Sequence, residues 1–439
     1  MSLIIQKYGG SSIANIDGIR RVAQRVFGTR KRGNSIVVVV SAMGKTTDQL
    51  INLAHQVSSS PSDRELDMLM STGEQVSVAL LAMALHGMGV DAVSLTGPQA
   101  GISTDAIHRH AKIMNIDPRR IFRHLKEERV VIVAGFQGLT PLADVATLGR
   151  GGSDTTAVAL AVALKAERCQ IFTDVEGVYS ADPRIVKDAR KLDEIAYDEM
   201  LELASLGAKV LMGRSVEYAK KYEVKLEVLS SFTKTPGTIV QKEVKKMEDI
   251  VVRGVSADTN QARVLLSGVP DKPGAAAKLF KELAGANLNI DMIIQNSSSN
   301  GTADISFTVS DEDFPKIRKV IHASAKKVGF QAIRVDGDIA KISVVGVGMR
   351  GHSGVAFLMF KTLAENHINI IMISTSEIKI SVVIQKRYAN KALRALHKVF
   401  ALSKKRVLSR KSTKSSLRGA CGKDNMAGSV KTGKKEKIK

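Results

Sequence analysis

Two glycine-rich stretches carry the residue types that phosphate chemistry needs. Lys7-Tyr8-Gly9-Gly10-Ser11-Ser12 lies between a short apolar run and a segment of helical periodicity. Glycines there let backbone N–H groups approach an anion, the helix start that follows favours negative charge, and Lys7 adds a full positive charge. On its own, a Gly-Gly pair reads equally well as a routine strand-to-helix connection. The second stretch, Leu148-Gly149-Arg150-Gly151-Gly152-Ser153-Asp154-Thr155, is again glycine-rich and polar and leads into a helix beginning near Thr155. Two glycine-lined helix starts, one with Lys7 and one with Arg150, are what a site needs to hold a transferable phosphoryl group against a carboxylate.

Two further glycine motifs do not qualify. Gly44-Lys45-Thr46 has the ending of a P-loop, but that pattern needs glycine at position 39, where Val39 sits in a strand. Gly346, Gly348 and Gly351 satisfy the dinucleotide spacing. The equivalent segment of an internal repeat, Leu266 to Asp271, has the same placement without those glycines, so the turn belongs to the repeated module.

The elements that would position these loops alternate. Leu3 to Ile5 and Ser35 to Val40 read as strands, with a helix over Ile16 to Phe27 between them. The alternation continues through a helical stretch Val76 to Leu85, a buried strand Val130 to Val133, an Ala-rich helix Thr155 to Ala166 and a strand Gln170 to Thr173. Apolar strands separated by helices predict an α/β fold: a mostly parallel sheet covered on both faces, with ligand loops at the carboxyl ends of its strands. The pattern fades at Thr235-Pro236-Gly237, and Lys242 to Glu248 follows as a charged linker.

Beyond the linker the chain repeats itself. At an offset of 80 positions Gly274 matches Gly354, Phe280 matches Phe360, Leu283 matches Leu363, and Asn289-Ile290 matches Asn369-Ile370. Each copy reads as a small βαββαβ, ferredoxin-like unit.

Composition bounds the remainder. The 439 residues imply two or three domains, and 44% hydrophobic residues exclude a wholly disordered chain. Two cysteines, Cys169 and Cys421, are too few for a disulfide framework or a four-cysteine zinc site. No leader-like segment opens the chain and its apolar runs, such as Ala157 to Leu164, are short, so the expectation is a cytoplasmic protein with no membrane partner. The net charge of +22 is concentrated: residues 403–439 carry 13 Lys and Arg against Asp424 and Glu436. That tail has no aromatics and no apolar face, and reads as solvated and disordered rather than as a nucleic-acid-binding arm.

In chain order, Lys7 to Ser11, Ser41-Ala42-Met43-Gly44, Ser71-Thr72-Gly73-Glu74, Gly135-Phe136-Gln137-Gly138, Gly149 to Thr155 and Thr173-Asp174-Val175-Glu176-Gly177-Val178-Tyr179 resemble the successive signatures of the aspartate kinase family, within the amino-acid kinase superfamily. The tandem repeat resembles that family's paired ACT regulatory modules. The resemblance spans roughly residues 1 to 402. It implies an αβα catalytic sandwich at 1–245, one ACT module at 262–337, a second at 338–402 completed by a strand from 250–258, and the basic tail at 403–439. The implied activity is phosphorylation of the β-carboxylate of L-aspartate by MgATP, the first step toward lysine, threonine and methionine, in a monofunctional enzyme. Competing readings are another enzyme of the superfamily acting on glutamate or acetylglutamate, or a non-catalytic amino-acid sensor.

The resemblance also assigns residues. Lys7, Lys209 and Asp154 are the implied catalytic set. Arg150 could clamp the substrate's α-carboxylate through two parallel N–H bonds, while Glu74 and Asp154, on site-facing turns, could accept from its ammonium. Gly151, Gly152 and Ser153 complete the loop, and Ser41 and Thr47 resemble further substrate contacts; these two, like Asp154, could alternatively be N-caps. The nucleotide side resembles Lys7, Tyr8, Gly9, Gly10, Thr173, Asp174, Tyr179, Arg184 and Lys209. Magnesium is expected on phosphate oxygens and water, with no dedicated protein ligand. In the first repeat, Asp271, Gly274 and Ala275 resemble the turn that holds an amino-acid effector, lysine or threonine or both, with Asn289, Ile290 and Gln295 on the far side. A homo-oligomer joined through the ACT modules is implied, and an internal start at Met247 would produce a separate regulatory subunit.

Overall fold

The computed structural model describes residues 2–205, 210–242, 244, 252–286, 288–297, 300–347, 349, 352 and 354–403. Lys209, Met247 and the basic tail therefore lie outside the described residues. Residues 1–403 form one compact unit.

The first half is built on a sheet of β1 (Leu3–Tyr8), β2 (Ser35–Val40), β3 (Ala92–Leu95), β6 (Val130–Ala134), β9 (Arg168–Thr173), β10 (Glu194–Ala196), β11 (Leu226–Ser230) and β12 (Thr238–Gln241). A smaller four-stranded sheet contains β4 (Ile102–Thr104), β5 (Ile113–Ile116), β7 (Gln137–Leu139) and β8 (Val145–Thr147). In the large sheet the order is β10-β12-β11-β9-β1-β2-β6-β3, parallel throughout except for β11 against β12. Among the described residues, the helices that accompany these strands are α1 (Ile16–Lys31), α2 (Thr46–Val57), α3 (Asp63–His86), α4 (Arg119–Lys126), α5 (Gly152–Ala163), α6 (Tyr197–Ser205) and α7 (Gly213–Lys221).

The Val-rich β2 shows why the sheet needs two covers. Its alternate residues face opposite ways, so Val37 and Val39 join Val158 and Ala161 of α5 in one core, whereas Ile36, Val38 and Val40 join Val22 of α1 and Leu81 of α3 in another. Both faces are dry, which makes an αβα sandwich. Helix starts follow local chemistry: the Asn15 side chain accepts from the Gly18 N–H at the head of α1, and Ser62 accepts from Glu65 at the head of α3. By length and mean hydropathy alone α3 could cross a membrane, although Asp67 and Glu74 interrupt its apolar residues. Its Leu66, Met70, Val78, Leu81 and Leu85 are buried in the protein instead.

The second half is a single six-stranded sheet ordered β14-β15-β13-β16-β18-β17. Its strands are β13 (Gly254–Pro270), β14 (Ile290–Ser297), β15 (Thr302–Ser310), β16 (Ala332–Val345), β17 (Met372–Thr375) and β18 (Lys379–Gln385), with helices α8 (Ala275–Gly285), α9 (Phe314–Val328), α10 (Gly354–Glu365) and α11 (Ala389–Val399). The two long strands serve both repeats. Along β13, Gly254 to Asp258 pair with Val345 to Lys341, and Arg263 to Ser267 pair with Asp336 to Ala332. The repeat is thus legible as two units in sequence but hydrogen-bonded as one sheet.

Candidate active site

Lys7 and Tyr8 belong to β1 itself, so the first glycine turn begins at Gly9, later than the sequence suggests. β1 and β2 run side by side, Lys7 opposite Val39. Their carboxyl ends deliver the Gly9-Gly10 turn and the Ser41–Gly44 turn to the same edge. Those turns touch: the Gly44 N–H donates to the Gly10 carbonyl at 3.1 Å, and a Cβ on Gly10 would lie 2.8 Å from the Ala42 oxygen. Only glycine permits that approach.

The third wall is the 148–154 loop. Gly151 adopts the left-handed conformation with φ of 74° and stands as the N-cap of α5, which therefore starts at Gly152 rather than near Thr155. Gly152, Ser153 and Asp154 form its first turn, and their N–H groups sit at the helix's positive end. Asp154 is consequently not an N-cap. Lys45, not Ser41 or Thr47, caps α2.

Between these walls lies a cleft of about 370 Å³, bordered by Lys7, Gly9, Gly10, Ser41, Thr47, Glu74, Arg150, Gly151, Gly152, Ser153, Asp154 and Thr173. Residues from positions 7 to 173 thus converge on one cavity. Phe136 and Met212 also border it; Phe136 stands in the Gly135–Gly138 signature without a site role of its own, and a lone methionine carries no spacing signal.

Two carboxylates in the cleft are held in different ways. The Lys7 Nζ lies 2.5 Å from Asp154 Oδ1, with side chains only 12% and 9% exposed, so little water screens the pair. Glu74 departs from the turn expected for it and sits mid-helix in α3, 2% exposed. One oxygen accepts the Ala42 N–H at 2.9 Å, while Oε2 is buried without a hydrogen-bond partner. Burial pushes its carboxyl up to about 8, against the lowering pull of the Ala42 N–H. A desolvated carboxylate with a spare oxygen at a cleft wall is a receptor for a cationic ligand group.

Several expected residues stand apart from these walls. The Tyr8 side chain is fully buried and stacks on Phe172 at 4.6 Å, so that ring is core and offers nothing to a nucleotide. Asp174 accepts from the Thr173 hydroxyl. Tyr179 bonds Glu176, and Arg184, its side chain 80% exposed, forks onto Asp182 instead of facing the cleft. In the first repeat Asp271, Asn289 and Gln295 are exposed, Ile290 is half-buried, Ala275 is buried, and Gly274 caps α8 with φ of 89°. The Asp271 N–H is committed to the Gly301 carbonyl.

An αβα sandwich with a cleft of glycine turns and charged side chains at its strand ends, followed by a repeated ferredoxin-like module, defines the class. Residues 2–230 match the amino acid kinase family, and residues 263–325 and 342–400 each match an ACT domain. The chain is 52% identical to the aspartokinase of Geobacillus stearothermophilus over 403 residues, 92% of this chain and 98% of the relative. It is similar in structure to Escherichia coli aspartokinase III in complex with aspartate and ADP in the R-state, with TM-score 0.79 and 25% identity over 90% of this chain and 99% of that one. The same enzyme in complex with lysine and aspartate, in the T-state, gives TM-score 0.70, also at 25% identity and with the same coverage. The chain belongs to the aspartokinase family, phosphotransferases whose acceptor is a carboxyl group.

Proposed function

We propose that the cleft transfers the γ-phosphoryl group of MgATP to the β-carboxylate of L-aspartate, giving ADP and 4-phospho-L-aspartate. The observation that carries the substrate assignment is the buried Glu74 with its spare oxygen, across a cleft that also contains Arg150. A free α-amino acid supplies the ammonium that Glu74 lacks and the carboxylate that Arg150 can fork. The aspartokinase III complex with aspartate and ADP supports the same ligands.

No general base is needed, because the β-carboxylate is already ionised at neutral pH. The task is to bring two anions together and stabilise the charge on the transferring group. Lys7, oriented by Asp154, supplies fixed positive charge, and the N–H groups of Gly9, Gly10 and the first turn of α5 supply oriented dipoles. Lys209 is assigned a second phosphate contact, with Tyr8 contributing backbone only and Thr173, Asp174, Tyr179 and Arg184 bordering the nucleotide. Asp154 is committed to Lys7, and Glu74 has one oxygen on the Ala42 N–H and the other assigned to the substrate ammonium, so the residues fit magnesium carried on phosphate oxygens and water. When bound, the ion would neutralise phosphate charge.

The ACT modules are read as feedback sensors. Lysine, threonine or both would bind around Asp271, Gly274, Ala275, Asn289, Ile290 and Gln295, a reading supported by the lysine-bound aspartokinase III. Domain limits of 1–245, 262–337 and 338–402 plus 250–258, a solvated tail at 403–439, ACT-mediated homo-oligomers and a cytoplasmic location complete the proposal. The test is Arg150→Lys, which keeps charge but loses the fork. It should raise the aspartate KM strongly and the ATP KM little; an effect confined to ATP would overturn the substrate assignment.

A further inference from the structure

The loop that carries Arg150 and Asp154 is intrinsically loose. Three of its residues are glycines, and Gly149 and Gly151 both hold left-handed conformations, with φ of 75° and 74°. Such a segment samples many backbone states unless its neighbours restrict it. Something must fix it if Arg150 is to meet a carboxylate in one geometry.

Arg214, in the first turn of α7, reaches it from outside the cleft. Its Nη1 donates to the Leu148 carbonyl at 2.8 Å and its Nη2 to the Ala111 carbonyl, also at 2.8 Å. Leu148 is the residue immediately before the first glycine. Ala111 closes a second segment that is itself rigidly held. The Ala111 N–H bonds the Thr147 carbonyl, and fully buried Asp67 accepts from His108, the Arg109 N–H and the Thr147 hydroxyl. Arg109 and His110 press on the glycine loop directly, with the Arg109 oxygen 2.9 Å from where a Cβ of Gly149 would be. The guanidinium therefore joins the loop to an anchored wall.

The start of α7 supports the loop at a second point, through its N-cap residue. Two residues before Arg214, the Met212 Cγ occupies a position 2.0 Å from the site of a Cβ on Gly151. The loop is held at Leu148 by Arg214 and at Gly151 by Met212, with Arg150 between. Arg214 is half-buried and is not among the residues bordering the cleft.

We propose that Arg214 is a positioning residue for the substrate loop: its forked hydrogen bonds to Leu148 and Ala111 hold Arg150 and Asp154 in the arrangement that binds the amino-acid substrate. This rests on the reading of that loop as the aspartate-binding element. Two carbonyls in different directions need a planar, two-pronged donor, and a lysine ammonium cannot reproduce that reach.

The experiment measures steady-state kinetics and melting temperature for wild type, Arg214→Lys, Arg214→Ala and Arg150→Lys. Arg214→Lys and Arg214→Ala should raise the aspartate KM at least fivefold while the ATP KM stays within twofold. Guanidinium chloride at low millimolar concentration, far below denaturing levels, should recover part of the Arg214→Ala loss and none of the Arg150→Lys loss. Unchanged aspartate KM in both Arg214 variants, alongside a raised value in Arg150→Lys, would overturn the positioning role and leave the substrate reading standing. Parallel rises in both KM values with a lowered melting temperature and no rescue would likewise overturn it, marking Arg214 as a general stabiliser. An aspartate KM unmoved in all three variants would overturn the substrate reading and this inference with it.

Discussion

Glu74 sets a pH dependence that can be worked out in sign. Its carboxyl titrates at about 8 in the free protein, so most of it is protonated at neutral pH. An ammonium ligand requires the ionised form, and binding below pH 8 must therefore release a proton. Aspartate affinity should rise with pH from 6 to 8, the KM falling up to about tenfold per pH unit at the limit set by one linked proton. Glu74→Gln should flatten that slope and raise the KM. A slope preserved in Glu74→Gln would remove this residue from substrate binding. Lys7 calls for a different design, because Lys7→Ala leaves Asp154 buried and uncompensated, a loss of about 3–5 kcal/mol when one partner of a buried pair is removed. Lys7→Met with Asp154→Asn should recover the melting temperature while turnover stays about 10²- to 10³-fold down. Recovered turnover in the double variant would contradict the electrostatic role of Lys7.

At the scale of elements, legibility followed locality. The glycine loops, β2 and the helical face of α1 were readable because each is fixed by residues close in sequence. Glu74 was readable as an acid beside Gly73 but not as the buried member of a 24-residue helix, since its environment comes from Ala42 in another element. The resemblance has a strand from 250–258 completing the second module; that this strand runs on as one, β13, to pair Arg263 to Ser267 with Asp336 to Ala332 needed the third dimension. The docking of α11 did too: its His397 is buried and hydrogen-bonded at 3.0 Å to Ser180, in the segment assigned to the nucleotide. Burial lowers the His397 pKa below its usual value, with Asp188 opposing and Arg190 reinforcing the shift. The unfolded chain then takes up a proton that the folded one refuses, so this contribution to stability is complete above about pH 6.5 and falls as pH drops below it. Chemical denaturation between pH 5 and 7 should show that loss, and His397→Gln should diminish it; an unchanged slope would exclude His397 as its source.

Across residues 1–403, the amino acid kinase half and the ACT half share a core. Ala181 and Val186, from the segment following Tyr179, are buried with Val255, Leu396 and Leu402, and the Val255 N–H donates to the Ser180 carbonyl. Arg253–Glu199 and Lys379–Glu202 ion pairs join the same two halves. A ligand that binds one arrangement of the regulatory sheet preferentially would act on this junction, and coupling of about 1–3 kcal/mol corresponds to a 5- to 150-fold effect on affinity. Asp271→Ala should weaken inhibition by lysine or threonine severalfold while uninhibited activity barely changes, because Asp271 is exposed and is not among the residues bordering the cleft. Inhibition curves with effector-binding titrations would decide it, and unaltered effector affinity would exclude Asp271 as the anchor.

A cleft built from Lys7, Glu74, Arg150 and Asp154, as proposed above, would phosphorylate the side-chain carboxylate of a free α-amino acid of aspartate's length. The decisive assay is ADP release with MgATP, combined with hydroxylamine trapping of acyl phosphate, across L-aspartate, L-glutamate, N-acetyl-L-aspartate and N-acetyl-L-glutamate. Stoichiometric ADP and trapped acyl phosphate are expected with L-aspartate alone, because blocking the ammonium removes the partner of Glu74 and a longer side chain displaces the reacting carboxylate. Turnover of an N-acetylated substrate at a rate matching or exceeding that of L-aspartate would contradict that expectation.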